Sequence, residues 1–241
     1  MSRRGRGRYA ALATLFASAC AERQASESVT AGENASSSVG AASHFYFVDA
    51  TVESGLSVFR QTNGSAEKSL LLETIGGGVA FLDHDNDGDL DVYLTNAASM
   101  KEGVILEGPA DALFVNQGDG RFVDGTQPAG LGDRRWTCGV RVVDLDGDGW
   151  QDIHLSNFGP NSYYRNRGDG RFEECAERLG LAWPEWSTGA AFFDFDRDGD
   201  LDLYLANYVD FDPKAVLAAG SKEEYRGIKV SFGPRGLPGA K

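Results

Sequence analysis

Short apolar runs broken by polar turns set the pattern of this chain. Val79-Ala80-Phe81-Leu82 is one such run, and Leu90 to Leu94 is another, interrupted only by Asp91. Runs of this length, bounded by turn residues and apolar at successive positions, predict strands buried on both faces. The pattern returns twice. "GGGVAFLDHDNDGDLDVYLTN" from Gly76 aligns without gaps with "TCGVRVVDLDGDGWQDIHLSN" from Thr137 and "STGAAFFDFDRDGDLDLYLAN" from Ser187. A second element, "LFVNQGDGRFVDGTQPAGL" from Leu113, recurs as "YYRNRGDGRFEECAERLGL" from Tyr163, and its tail appears at the front as "FVDATVESGL" from Phe47.

The second element reads as an Asn/Gly/Asp turn between two further strands. Asp144 and Asp194 are 50 residues apart, while Asp83 and Asp144 are 61 apart, the excess lying between Asn96 and Leu113. Four strands in about 50 residues is the arithmetic of a propeller blade. The expected fold is therefore all-β: an incomplete β-propeller of four-stranded blades, about three of them, with Phe47–Leu56 as an orphan outer strand. A propeller needs at least four blades to close. The third unit also stops before its turn element, so the sequence reads as the N-terminal part of a larger protein or a truncated reading frame.

Between the first two strands of each unit lies D-x-D-x-D-G-x-x-D. Counting from the first Asp, carboxylates fall at positions 1, 3, 5 and 9: Asp83, Asp85, Asp87 and Asp91; Asp144, Asp146, Asp148 and Asp152; Asp194, Asp196, Asp198 and Asp202. Gly stands at position 6, where the chain turns sharply. Position 7 is Asp89, Trp150 or Asp200, and a position that tolerates Trp offers its backbone carbonyl. Oxygen-only ligands at this spacing select Ca²⁺, as in the front of an EF-hand loop. Position 12, however, is Leu94, Leu155 and Leu205 rather than Glu, and strands flank the loop instead of helices. The expectation is a calcium loop closing a β-hairpin, about three sites in all. The alternative for any single copy is a solvated acidic turn.

Composition sharpens this picture. The formal charge is −13, with 36 Asp+Glu against 23 Lys+Arg, and 14 of those acids sit in the three loops. Nucleic acid, which needs Lys and Arg for its phosphates, is not an expected partner. Arg3, Arg4, Arg6 and Arg8 precede the apolar run "YAALATLFASA" and Cys20. That is a signal-peptide pattern over residues 1–20, too short to span a bilayer, with a lipobox-like site at Cys20. The chain is therefore expected to be exported in bacterial fashion. It would be lipid-anchored in the cell envelope through Cys20, or extracellular after ordinary signal cleavage. Residues 21–43 are small and polar and read as a tether, leaving 44–241 as the repeat domain.

The loops and turns resemble the FG-GAP/VCBS repeats of integrin-α-type propellers. "DNDGDLDVYLTN", "NFGPNSYYRNRGDGRF" and "FGPRGLPGAK" are similar to the bacterial ASPIC/UnbV-associated, cartilage-acidic-protein-like branch. The resemblance implies an exported calcium-binding propeller, often of seven blades, with further blades or a C-terminal module in a full-length protein.

No catalytic constellation accompanies the repeats. His44, His84 and His154 are scattered, and neither a G-x-S-x-G nor a phosphate loop occurs. Arg167-Gly168-Asp169 spells an adhesion tripeptide, but the sister turn has Gln117, so the motif belongs to the turn. Residues 97–112 and 208–241 leave the repeat pattern and are the places to look for binding, the second with a short helix capped by Asp212 and stopped at Gly220. The functional expectation is a non-catalytic binding or scaffold module for a protein or glycan ligand. The alternatives are the front part of an extracellular lyase or hydrolase, or a fragment without independent function.

Overall fold

The computed structural model describes residues 47–219 except 67 and 69, and the strands at 223–225 and 228–230. The signal pattern, Cys20, the tether, His44, Gly220 and "FGPRGLPGAK" lie outside the described residues.

Two repeats form four-stranded antiparallel sheets. The first contains β1 (Val79–Leu82), β2 (Asp91–Leu94), β5 (Ala112–Asn116) and β6 (Phe122–Asp124), hydrogen-bonded in that order. The insertion between β2 and β5 makes its own hairpin, β3 (Met100–Lys101) with β4 (Val104–Ile105). The second sheet contains β7 (Trp136–Val143), β8 (Asp152–Phe158), β9 (Ser162–Asn166) and β10 (Phe172–Glu174), followed by the short helix α1 (Ala176–Leu179). The third repeat gives the pair β11 (Ser187–Phe193) and β12 (Asp202–Asn207), then α2 (Pro213–Ala219). Finally β13 (Glu223–Tyr225) pairs with β14 (Ile228–Val230).

The sheets stack because each strand pair has two apolar faces. Tyr93, Leu82 and Leu113 of the first sheet pack on Val140, Ile153, Leu155 and Tyr164 of the second. The other face of the first sheet, with Val92, Leu94 and Phe114, is covered by Leu56 and Phe59. On the far side of the second sheet, His154 meets Phe192 of the third edge-to-face at 5.6 Å, and Arg141 donates to the Ala190 carbonyl at 2.9 Å. Strand β8, sandwiched on both sides, is buried from Asp152 to Asn157.

The expectation of strands buried on both faces holds for β2 and β8 but not for β1 or β12. Phe81 is 41% exposed in β1, and Tyr204 is 66% exposed in β12. Phe47–Leu56 is also not a strand. It forms a hydrogen-bonded turn leading into a 3-10 turn at Leu56–Val58. Its sister segments become β6 and β10 because β5 and β9 lie beside them, and Phe47–Ala50 has no such neighbour among the described residues.

Cys138 and Cys175 are both free and buried in separate clusters. Burial pushes the Cys138 thiol up to about 11, the mark of a packing residue rather than a nucleophile. It sits where the β7–β8 register shifts between Thr137 and Gly139, and β11 repeats that shift at Thr188. Asp212 caps α2 as expected, its Oδ1 accepting the N–H groups of Lys214 and Ala215 at 2.9 and 3.2 Å.

Candidate metal centres

The three aspartate loops adopt one conformation. In the first, the carboxylate of Asp83 folds back over the turn and accepts the N–H groups of Asp87 and Gly88 at 3.1 and 3.0 Å. Asp144 does the same for Asp148 and Gly149 at 3.1 and 2.9 Å. In the third loop Asp194 accepts Gly199 N–H at 3.2 Å. The position-5 carboxylates accept the next N–H but one in every copy: Asp87 from Asp89, Asp148 from Trp150 and Asp198 from Asp200. Gly88, Gly149 and Gly199 have φ of 92°, 88° and 100°, which explains why position 6 is always Gly. Position 4 is left-handed too, at Asn86, Gly147 and Arg197. Only one of those three is Gly, so sequence did not reveal it.

Carboxylate oxygens converge in each loop to within 4.8 Å of one another: Asp83, Asp85 and Asp87; Asp144, Asp146 and Asp152; Asp194, Asp196 and Asp202. Like charges this close repel by about 4 kcal/mol per pair at an effective dielectric of 20. These clusters could hold a metal ion, and their donors are all hard oxygens.

The position-9 acids do more than face the loop. Asp152 is fully buried; its Oδ1 accepts Asn166 N–H at 2.7 Å and its Oδ2 accepts the Tyr163 hydroxyl at 2.5 Å. Burial raises its pKa, against the hydrogen bonds that lower it. Asp91 repeats the first contact, with Asn116 N–H at 2.8 Å, while its Oδ2 lies 2.5 Å from His84 Nδ1. That hydrogen bond raises the His84 pKa. Asp91 therefore groups with His84 and Asp85 rather than with Asp83 and Asp87. Asp202 accepts Phe195 N–H at 2.8 Å.

The side chains at position 7 stand outside the carboxylate clusters. Asp89 lies against Gly118 and Trp150 against Gly168, in the turn between the third and fourth strands. Asp148 and Asp198 also stand apart from the groups of their loops. A residue that sequence missed enters the second loop: Arg165, on β9, reaches Asp146 at 2.5 Å and Asp148 at 3.0 Å. Its sister in the first repeat is Val115, so the repeat pattern gave no sign of it. The first two loops also touch, Asn86 donating to the Gly149 carbonyl at 3.2 Å and Gln151 accepting from Asp83 N–H at 2.8 Å.

Residues 104–155 and 144–205 match the FG-GAP-like repeat family. The chain carries FG-GAP-like repeats. The first match runs from β4 into β8 and contains the second loop, and the second runs from that loop into β12 and contains the third. No curated protein matches the chain. Within the FG-GAP-like repeats, Arg167 pairs with Asp169 at 3.4 Å, keeping the adhesion-like tripeptide inside its own turn.

Proposed function

We propose that the chain is an exported, calcium-stabilised repeat module that binds or scaffolds a protein or glycan partner without catalysing a reaction. The observation that carries this reading is the convergence of three carboxylates in each of three loops built on the same backbone turn. Oxygen ligands in a flexible loop favour Ca²⁺ over softer or smaller ions. Asp83, Asp85 and Asp87 would hold the ion in the first loop, with Asp91 beside them. Asp144, Asp146 and Asp152, then Asp194, Asp196 and Asp202, would do so in the others, joined by Asp148 and Asp198. Carbonyls of Asp89, Trp150 and Asp200 complete the proposed set. The ion neutralises each cluster and so stabilises the hairpin that carries it.

The two departures from the repeat pattern support a binding role. They meet each other: Gly103, in the β3–β4 turn, packs on Lys214 at the start of α2. Beside this contact is a cavity of about 350 Å³ lined by Leu70, Met100, Lys101, Glu102 and Leu217 among others. Binding residues commonly lie on such excursions from a rigid scaffold. The motifs quoted above support a kinship with the ASPIC/UnbV-associated branch, and the N-terminal arginines, apolar run and Cys20 support export with a lipid anchor.

Thermal melts in excess calcium and in excess EDTA test the metal reading. A higher Tm in calcium is expected; superimposable curves would refute it.

A further inference from the structure

One imidazole stands among the loop carboxylates. His84 occupies position 2 of the first loop, where the second and third loops have Leu145 and Phe195. The residue is 7% exposed, its N–H donates to Asp91 Oδ2 at 3.1 Å, and its carbonyl accepts Asn166 Nδ2 at 2.9 Å. Those bonds hold the backbone on which the ring stands, with Nδ1 2.5 Å from Asp91 Oδ2 and 3.8 Å from Asp85 Oδ1.

Both acids depart from their sisters at this spot. The position-3 acids of the other loops fold back on their own turns, Asp146 accepting Asp148 N–H at 3.3 Å and Asp196 accepting Asp198 N–H at 3.2 Å. Asp146 also carries Arg165. Asp85 accepts no hydrogen bond among the described residues, and Val115 stands where an arginine would reach it. The position-9 acid of the second loop gives its Oδ2 to the Tyr163 hydroxyl. In the first repeat that tyrosine is Leu113, and the imidazole of His84 meets Asp91 Oδ2 instead. The first loop therefore pairs a nitrogen donor with one buried and one exposed carboxylate, an arrangement that neither sister loop has.

We propose that His84, Asp85 and Asp91 form a second cation site in the first loop, for Zn²⁺ or a neighbouring borderline transition ion. Their donor atoms lie within 4.8 Å of one another. A zinc ion with bonds of about 2.0–2.2 Å holds adjacent donors roughly 3.0–3.4 Å apart. The two distances from Nδ1 bracket that spacing, so movements of about half an ångström on either side admit the ion. Imidazole nitrogen suits zinc and its neighbours, whereas calcium takes oxygen. The proton on Nδ1 leaves as the ion binds. Asp85 also belongs to the group with Asp83 and Asp87, so its carboxylate bridges this site and the proposed calcium set. Its exposed side leaves the fourth position on the ion to water. The site goes beyond the calcium reading and does not depend on it.

Zinc chloride added to the full chain in excess calcium tests the proposal, read by isothermal titration and by X-ray absorption at the zinc edge. One zinc ion per chain is expected, with an imidazole nitrogen at about 2.0 Å and oxygen in the rest of its shell. His84→Leu, which installs the residue of the second loop, should weaken binding at least about tenfold and remove the imidazole signal. Asp85→Asn, at an exposed side chain, is expected to weaken it as much and stands in if His84→Leu does not fold. A sulfur shell at about 2.3 Å would assign the zinc to a cysteine and overturn the proposal. Zinc affinity unchanged in either variant, or no saturable binding, overturns it as well. The melts in calcium and EDTA are run without zinc, so failure of the calcium reading and failure of this one show separately.

Discussion

Asp152 accepts the backbone N–H of Asn166 at 2.7 Å, tying the last acid of the second loop to the third strand of its own sheet. That acid serves the fold and the candidate ion site together. Asp152→Ala leaves the Asn166 N–H and the Tyr163 hydroxyl without their acceptor in a buried place. The expected loss is on the order of 3 kcal/mol in urea denaturation, in EDTA as well as in calcium. Asp146→Asn, on the exposed side of the same loop, should change stability in EDTA by no more than about 0.5 kcal/mol while removing the calcium increment of that loop.

Arg165 pairs with two carboxylates of the second loop that the proposed ion would need. Its guanidinium lies on Asp146 and Asp148, and it is 42% exposed, so the pair is screened by solvent. An exposed ion pair is worth at most about 1 kcal/mol. Arg165→Val, which installs the sister residue of the first repeat, should therefore raise calcium affinity at this loop by up to about fivefold in isothermal titration. Unchanged or weaker affinity would show that Arg165 does not compete with the ion.

Asp111 is a fully buried acid whose sister, Asn161, does the same work as an amide. Asp111 Oδ1 accepts Asn96 N–H at 2.5 Å and Oδ2 accepts the Thr137 hydroxyl at 3.1 Å. Asn161 accepts Asn157 N–H at 2.8 Å and donates to the Ser187 hydroxyl at 3.0 Å. Burial raises the Asp111 pKa well above the ordinary carboxylate range. An acid raised in the folded state contributes its full stability below the unfolded value near 3.8, and loses it as pH rises through the folded value. Asp111→Asn should therefore stabilise the protein at neutral pH, by on the order of 1–2 kcal/mol, and flatten the decline of stability with rising pH. Chemical denaturation at a series of pH values reads both effects.

The repeat, its strands and the fifteen loop positions were legible because the same residues recur at fixed offsets. Recurrence shows what the copies share and hides what each does alone. Arg165 replaces a valine, and His84 replaces what is Leu145 or Phe195 elsewhere, so their contacts with loop carboxylates emerged only from the fold. The double duty of Asp91 and Asp152 was hidden for a different reason: a ligand and a strand latch demand the same residue. Phe47–Leu56 looked like a strand because its sisters are strands, but strand identity depends on a neighbour to pair with. The two insertions showed in sequence only as breaks, and their meeting at Gly103 and Lys214 depends on contacts far apart in the chain.

The central claim is that each aspartate loop holds one calcium ion, and counting bound ions tests it most directly. Native mass spectrometry of the full chain in calcium should show three ions per chain, with one fewer after Asp194→Ala together with Asp196→Ala in the third loop. A chain that carries no calcium, or whose count does not change with those substitutions, would contradict the account.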